Sequence, residues 1–188
     1  MPTLQAKRFI LLRDLNGGAD GRVWFACTLS GLVGVLKFGQ LKDKDDNLSK
    51  AKERLEGEAK LWRDVWNQKD VRVISLAGDH ALLMPYVKAI DLEQVKQSPE
   101  LSAAVHSAIK EMASAGYYHK DLHWRHVGLL EAPVVAGKGK NRRGSKKQSQ
   151  QSTSTALPAV VLFDLALVDE VSEEQAMTQM LKALKLAE

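Results

Sequence analysis

The sequence predicts an α+β chain in two parts, a five-stranded antiparallel sheet carrying one helix and then a smaller, mainly helical part. Three observations predict it. Short β-rich stretches broken by glycines 17, 18, 21, 31 and 34 crowd the beginning. One helical repeat is set among them. Past residue 88, apolar positions recur at three- and four-residue spacing.

In order, Phe9 to Asp14, Arg22 to Leu29 and Leu32 to Phe38 read as three strands. A helix then runs from about Leu48 to Asn67, and Val71 to Ser75 and His80 to Met84 complete the sheet. Leu101, Val105, Ala108, Met112 and Ala115 mark a second amphipathic helix. Ser172-Glu173-Glu174-Gln175 is a capping-box pattern ahead of a third helix reaching Leu186. The expected division is residues 1–87 and 88–188, the second part interrupted at about 137–157. That interruption is Gly, Lys, Arg, Ser, Gln and Thr with little apolar content, so it buries too little surface to offset its ordering entropy. A disordered insertion is expected there.

The net charge of +4 is local in origin. Lys138, Lys140, Arg142, Arg143, Lys146 and Lys147 lie in a stretch with no acid, and without those six charges the rest carries −2. A nucleic-acid-binding fold is therefore not expected, although the loop 138–147 is a candidate basic patch against the commoner solvated loop. The longest apolar runs, such as Ala159 to Phe163, are too short to cross a bilayer, and no membrane association is expected. Residues 1–13 lack the pattern of a secretory signal, and the single cysteine, Cys27, permits no internal disulfide. Both point to an intracellular protein, cytoplasmic or nuclear.

Chemistry-bearing residues are spread along the chain. Asn16-Gly17-Gly18-Ala19-Asp20-Gly21-Arg22-Val23 joins the first two strands, and such a glycine-rich turn lets backbone N–H groups approach phosphates. It serves equally as a plain turn. Lys37 sits on the third strand between apolar neighbours, where an exposed edge charge is the simpler assignment. The next helix changes that. With Leu55 at the origin and about 100° per residue, Glu58 falls near −60°, inside the apolar arc, while Glu53, Glu56 and Asp64 point outward. A carboxylate on a buried face needs a partner, and Lys37 is the candidate.

Met84-Pro85-Tyr86-Val87 leaves a strand with backbone groups available to a flat base, or simply terminates that strand at Pro85. His119-Lys120-Asp121-Leu122, continued by His123-Trp124-Arg125-His126-Val127-Gly128, and Phe163-Asp164-Leu165-Ala166 each place an acid beside a short apolar strand.

The order of these pieces resembles that of protein kinases: glycine loop, strand lysine, helix glutamate, H-R-D-L catalytic loop and D-F-G. His119-Lys120-Asp121-Leu122 matches H-R-D-L with Lys for Arg, and Phe163-Asp164-Leu165-Ala166 is similar to the D-F-G region with both following residues changed. Met84 to Val87 resembles the hinge between kinase lobes, and Asp91 falls where kinases often bind ribose. The resemblance covers roughly residues 8 to 170. The continuation through Gly128 is similar to divergent kinase-like proteins of fungi and oomycetes, including crinkler-type domains.

The resemblance implies a bilobal protein-kinase-like fold and an ATP-dependent phosphotransferase using Mg²⁺ or Mn²⁺. It implies that Lys37, oriented by Glu58, holds phosphates, that Asp121 accepts the proton of an attacking hydroxyl, and that Asp164 binds the metal. Asn16, Gly18, Gly21, Val23, Lys37, Met84, Pro85, Val87 and Asp91 then line the nucleotide. His126 stands where the family has a metal-binding asparagine, so either a softer ion such as Mn²⁺ suits it better than Mg²⁺ or the ring simply donates a hydrogen bond.

Two departures qualify the expectation. Only 24 residues follow Asp164, too few for a kinase activation segment and the helices that bind peptide. A small or unusual acceptor, or a fold completed by a protein partner or second subunit, is expected instead. The alternative is a pseudokinase that binds nucleotide or partners without turnover. A third assignment, zinc held by His119, His123, His126 and Asp121, rests on spacing alone.

Overall fold

The computed structural model describes residues 9–15, 22–28, 33–39, 41, 47–130 and 158–186. These form an α+β protein with a five-stranded antiparallel sheet and four helices among the described residues. The sheet consists of β1 (Phe9–Asp14), β2 (Val23–Thr28), β3 (Val33–Phe38), β4 (Arg72–Leu76) and β5 (Asp79–Met84), in the order β1-β2-β3-β5-β4. The five expected strands are present, with ends within one residue of those predicted.

Helix α1 (Leu48–Asp64) is capped by Asn47, whose side chain accepts from the Lys50 N–H at 3.0 Å. It stops at Val65, short of the Asn67 expected, and Asn67 itself has a positive φ of 52°. Ala51, Leu55, Glu58, Ala59 and Trp62 form its buried face. That face packs on β5 and β4. Register decides what it meets: Val23, Lys37 and Leu82 are paired across β2, β3 and β5, so their side chains share one sheet face. Leu82 and the α1 residues belong to one large core. The opposite face buries Ala26, Leu36, Ala81 and Leu83 in a separate small cluster.

The second part is less helical than expected. β6 (Val87–Ala89) leads to α2 (Leu92–Gln97), then α3 (Pro99–Ser114), β7 (Tyr117–His119), a 3₁₀ turn at Trp124–His126, β8 (Val127–Leu130), β9 (Val160–Leu162) and β10 (Val168–Glu170). These strands make a three-stranded sheet, β6-β8-β9, and a two-stranded one, β10-β7. All are only three or four residues long, which leaves no period-2 pattern to find in the sequence. The short α2 also escaped the sequence reading, although Asp91 and Gln94 make a complete capping box at its start.

Helix α4 (Glu173–Ala183) begins as predicted, with Ser172 accepting from the Gln175 N–H. It packs on α3 and β7 of its own chain, burying Ala176, Met180 and Leu184. The large core is continuous across residue 87, joining Trp62 and Trp66 beside α1 to Ile109 and Met112 of α3 and Leu162 of β9. The Trp66 indole donates to the Leu162 carbonyl at 3.0 Å, tying the end of α1 to the strand that precedes Asp164.

Candidate active site

Lys37 stands at the inner end of β3 with only 4% of its surface exposed. Its ammonium donates to Glu58 Oε2 at 2.9 Å and to Asp164 Oδ1 at 2.6 Å. Glu58 is equally buried, whereas the Asp164 side chain is about one-third exposed. Burial alone pushes the lysine pKa down. The two carboxylates outweigh that and hold the group above the ordinary lysine range, so it stays an ammonium ion.

Asp164 reaches Lys37 through an unusual backbone. Its φ of 60° is in the left-handed region, which Asp tolerates better than most residues. Burial raises its pKa, but the charge and hydrogen bond of Lys37 prevail and hold it below the ordinary carboxylate range. Glu58 Oε1, by contrast, is buried with no hydrogen-bond partner among the described residues.

The second cluster grows from the turn after β7. His126 Nδ1 lies 2.7 Å from the Asp121 carbonyl, which only accepts, so Nδ1 carries a proton. Arg125 Nε donates to His126 Nε2 at 3.0 Å, which places the ring's lone pair on Nε2. That atom is 3.6 Å from Asp164 Oδ2. Asp121 has both oxygens engaged, Oδ1 by His123 Nε2 at 3.0 Å and Oδ2 by Arg125 at 3.2 Å. Desolvation acts to raise its pKa, and His123 and the Arg125 guanidinium with its hydrogen bond help carry it below the usual range.

Backbone bonds lock the two segments together. The Phe163 N–H donates to the His126 carbonyl at 2.9 Å, and His119 Nε2 donates to the Phe163 carbonyl at 3.1 Å. His119 is almost completely buried, its ring stacks on His126 at 5.4 Å, and its Nδ1 has no partner among the described residues. Burial pushes its pKa below the ordinary imidazole value.

Lys37, Glu58, Asp164, His126 and Asp121 are thus brought into one contiguous polar chain. Val23 lies beside Lys37 on the same sheet face. Met84 pairs with Val35, Val87 pairs with Leu130, and Pro85 is half-buried in the crossing between β5 and β6. Asp91 is exposed and caps α2 through the Gln94 N–H, which accounts for it locally. Asn16, Gly18, Gly21 and the basic stretch 138–147 lie outside the described residues. Two contributors were missed in the sequence. Arg125 was detectable, since it lies four residues after Asp121, but Gly128 was not. A Cβ at Gly128 would meet Val87 Cγ1 at 2.5 Å and the Lys88 carbonyl at 2.6 Å, so β8 approaches β6 only because no side chain intervenes.

Among the described residues no three His, Cys, Asp or Glu side chains gather to hold a metal ion. The zinc assignment therefore has no geometric support: His119 and His126 stack face to face, and His123 turns to Asp121. Asp164 offers its Oδ2, whereas the single lone pair of His126, on Nε2, already accepts from Arg125. Magnesium is ordinarily held by one or two carboxylates together with phosphate oxygens and water, so these side chains form no self-contained cage. A cavity of about 250 Å³ behind Trp66 is lined by α3, Leu130 and Pro158 to Val161, and by none of these residues.

The fold and site define an α+β protein with a buried lysine clasped by two carboxylates from distant parts of the chain. A family model described as a family of unknown function (DUF5898) matches residues 14–130, and the chain belongs to that family. The matched span includes Lys37, Glu58, Asp121 and His126 and ends before Asp164. No curated protein matches the chain. Among the described residues no helix is long and apolar enough to cross a membrane.

Proposed function

We propose that the protein is an ATP-dependent phosphotransferase with a minimal bilobal, kinase-like domain, divided near residue 87. The observation that carries this reading is the triad Glu58–Lys37–Asp164. An ammonium ion buried at 4% exposure is costly to desolvate, and one internal partner would serve for structure alone. Here Asp164 is recruited from 127 positions away, on a positive-φ backbone, to a place where its second oxygen faces His126. Strain of that kind is characteristic of functional sites.

In this reading Lys37 holds phosphate oxygens and Glu58 keeps the lysine extended. Asp164, joined by His126 if its Nε2 were released from Arg125, would hold Mg²⁺ or Mn²⁺, which would supply charge neutralisation for the phosphates. Asp121 takes the proton of the acceptor hydroxyl, and Val23, Met84, Pro85, Val87 and Asp91, with the loop at Asn16, Gly18 and Gly21, surround the base, ribose and phosphates. After Asp164, β10 pairs with β7 and α4 packs on α3, and a second subunit or protein partner is proposed on the acceptor side. The proposed setting is the cytoplasm or nucleus.

A pseudokinase reading draws on Asp121, whose two oxygens are both occupied. Labelled ATP with Mg²⁺ or Mn²⁺ separates the two. Transfer by the parent protein that is lost in Asp121→Ala and Asp164→Ala supports catalysis. Nucleotide binding without transfer supports the pseudokinase, and equal labelling of parent and variants overturns the enzyme.

A further inference from the structure

We infer that β1 is a self-association edge, along which a second copy of this chain pairs antiparallel through Phe9, Ile10 and Leu11, whatever reaction the site performs. The inference starts from exposure. β1 forms one edge of the five-stranded sheet, and Ile10, Leu11 and Leu12 stand 46%, 44% and 53% exposed along it. Natural proteins ordinarily blunt such an edge with charge, proline or a bulge, because its backbone groups template further pairing. From Phe9 to Leu11 there is no charge and no proline. The bulge comes only afterwards, where the register with β2 shifts between Leu11 and Arg13.

Hydrogen-bond parity then selects the register. The Leu15 N–H donates to the Val23 carbonyl and the Phe38 N–H to the Arg22 carbonyl, each at 2.8 Å. Alternate residues of β2 therefore serve opposite neighbours, and Val23, Phe25 and Cys27 serve β1. Cys27 lies opposite Ile10, so Ile10 spends its backbone groups on β2. Phe9 and Leu11 direct theirs away from β2, where no described strand lies. An antiparallel copy centred on Ile10 sets Phe9 opposite Leu11 and Leu11 opposite Phe9 across a two-fold axis. Each of those pairs exchanges both N–H···O bonds, and the two Ile10 side chains meet at the close, non-hydrogen-bonded position. Only apolar residues fall within the matched span.

Two features select a second copy over a loose peptide. Arg13 pairs with Phe25, which serves β1, so the bulge turns the Arg13 backbone onto β2 and the ladder stops short of it. A disordered segment would have to be ordered for so short a ladder, whereas a second β1 arrives already held by its own β2. The far edge, β4, is no substitute. Arg63 donates to the Val71 carbonyl at its start at 2.9 Å, and a β1–β4 contact between copies would be head-to-tail and would not close as a pair. A contact of three residues a side buries far less than the roughly 1,200 Å² of a stable interface, so the pairing is reversible and depends on concentration.

Sedimentation velocity on the full chain, from micromolar to millimolar concentration, tests this. The parent should pass from monomer to dimer. Ile10→Lys opposes two ammonium groups at the axis and should raise the dissociation constant at least about tenfold. Leu12→Lys should leave it within about twofold, because Leu12 is the more exposed of the two yet lies outside the matched span. In a Cys27→Ser background, Ile10→Cys should link two chains on mild oxidation, since such strand positions bring Cα atoms to about 4.5 Å. A parent that stays monomeric throughout overturns the inference and leaves the edge to some other extended chain. Equal weakening by Ile10→Lys and Leu12→Lys overturns it as general apolar association, and an Ile10→Cys protein that stays unlinked overturns the register.

Discussion

Asp164 Oδ1 lies 2.6 Å from Lys37 Nζ, closer than the 2.9 Å contact that Glu58 makes with the same nitrogen, although Asp164 is 127 positions away and Glu58 only 21. The sheet supplies the lysine, α1 supplies one acid, and the segment after β9 supplies the other. The Trp66 indole and the Phe163 amide fix that segment from both sides. The expected Lys37–Glu58 contact is present, and Asp164 turns it from a pair into a triad.

Lys37→Met removes the ammonium and leaves Glu58 buried without its partner. Breaking one side of a buried pair costs about 3–5 kcal/mol, and urea denaturation should show a loss of that size. Adding Glu58→Leu to Lys37→Met should recover much of it, because the orphaned carboxylate is then gone. A double variant no more stable than the single one would show that the triad's charges are not what the fold depends on.

Asp164→Asn keeps shape and removes charge. Because Lys37 still faces Glu58, the fold should persist, while the Mg²⁺-dependent part of ATP affinity drops by at least the roughly 10–100-fold typical of weaker changes around metals. Titration of ATP with and without Mg²⁺ reads this directly. Identical metal dependence in parent and variant would remove Asp164 from the metal.

His119 sets a pH dependence. Its folded pKa lies below the ordinary value of about 6.5, so between the two values the unfolded chain binds more protons than the folded one. Its stabilising contribution is therefore complete above about pH 6.5 and is lost as pH falls through the lower folded value. The thermal midpoint should fall from pH 7.5 to 5.5 more steeply in the parent than in His119→Gln. Parallel slopes would mean the ring titrates as it does in the unfolded chain.

Gly128→Ala tests the close approach of β8 and β6. The new methyl would lie 2.5 Å from Val87 Cγ1 and 2.6 Å from the Lys88 carbonyl, and the second is backbone that does not swing aside. Overpacking of this kind costs about 1–3 kcal/mol, measurable as a lowered midpoint in denaturant. A variant as stable as the parent would show that β6 yields freely.

Much of this was legible beforehand because it is periodic or capped. The α1 arc placed Glu58 inward, and Ser172 with Gln175 marked the start of α4. The five strands of the main sheet run five or six residues between turn signals, long enough to register as strands. β6, β7 and β10 do not, because three residues carry too little pattern. Asp91, which the resemblance puts at a ribose position, caps α2 with its carboxylate, a use visible in the Asp91–Gln94 spacing.

The sequence by itself determined which side chains must be buried and therefore must find partners: an acid within an apolar helical arc and a lysine on an apolar strand. Helical and strand periodicity operate over a few residues, so those constraints are written locally. Only the tertiary structure decided that Asp164 would join them, that His126 would carry its lone pair on Nε2, and that Arg125 would bridge to Asp121. Those contacts depend on how separate elements are juxtaposed by packing, and no short-range pattern in the chain encodes such a distance.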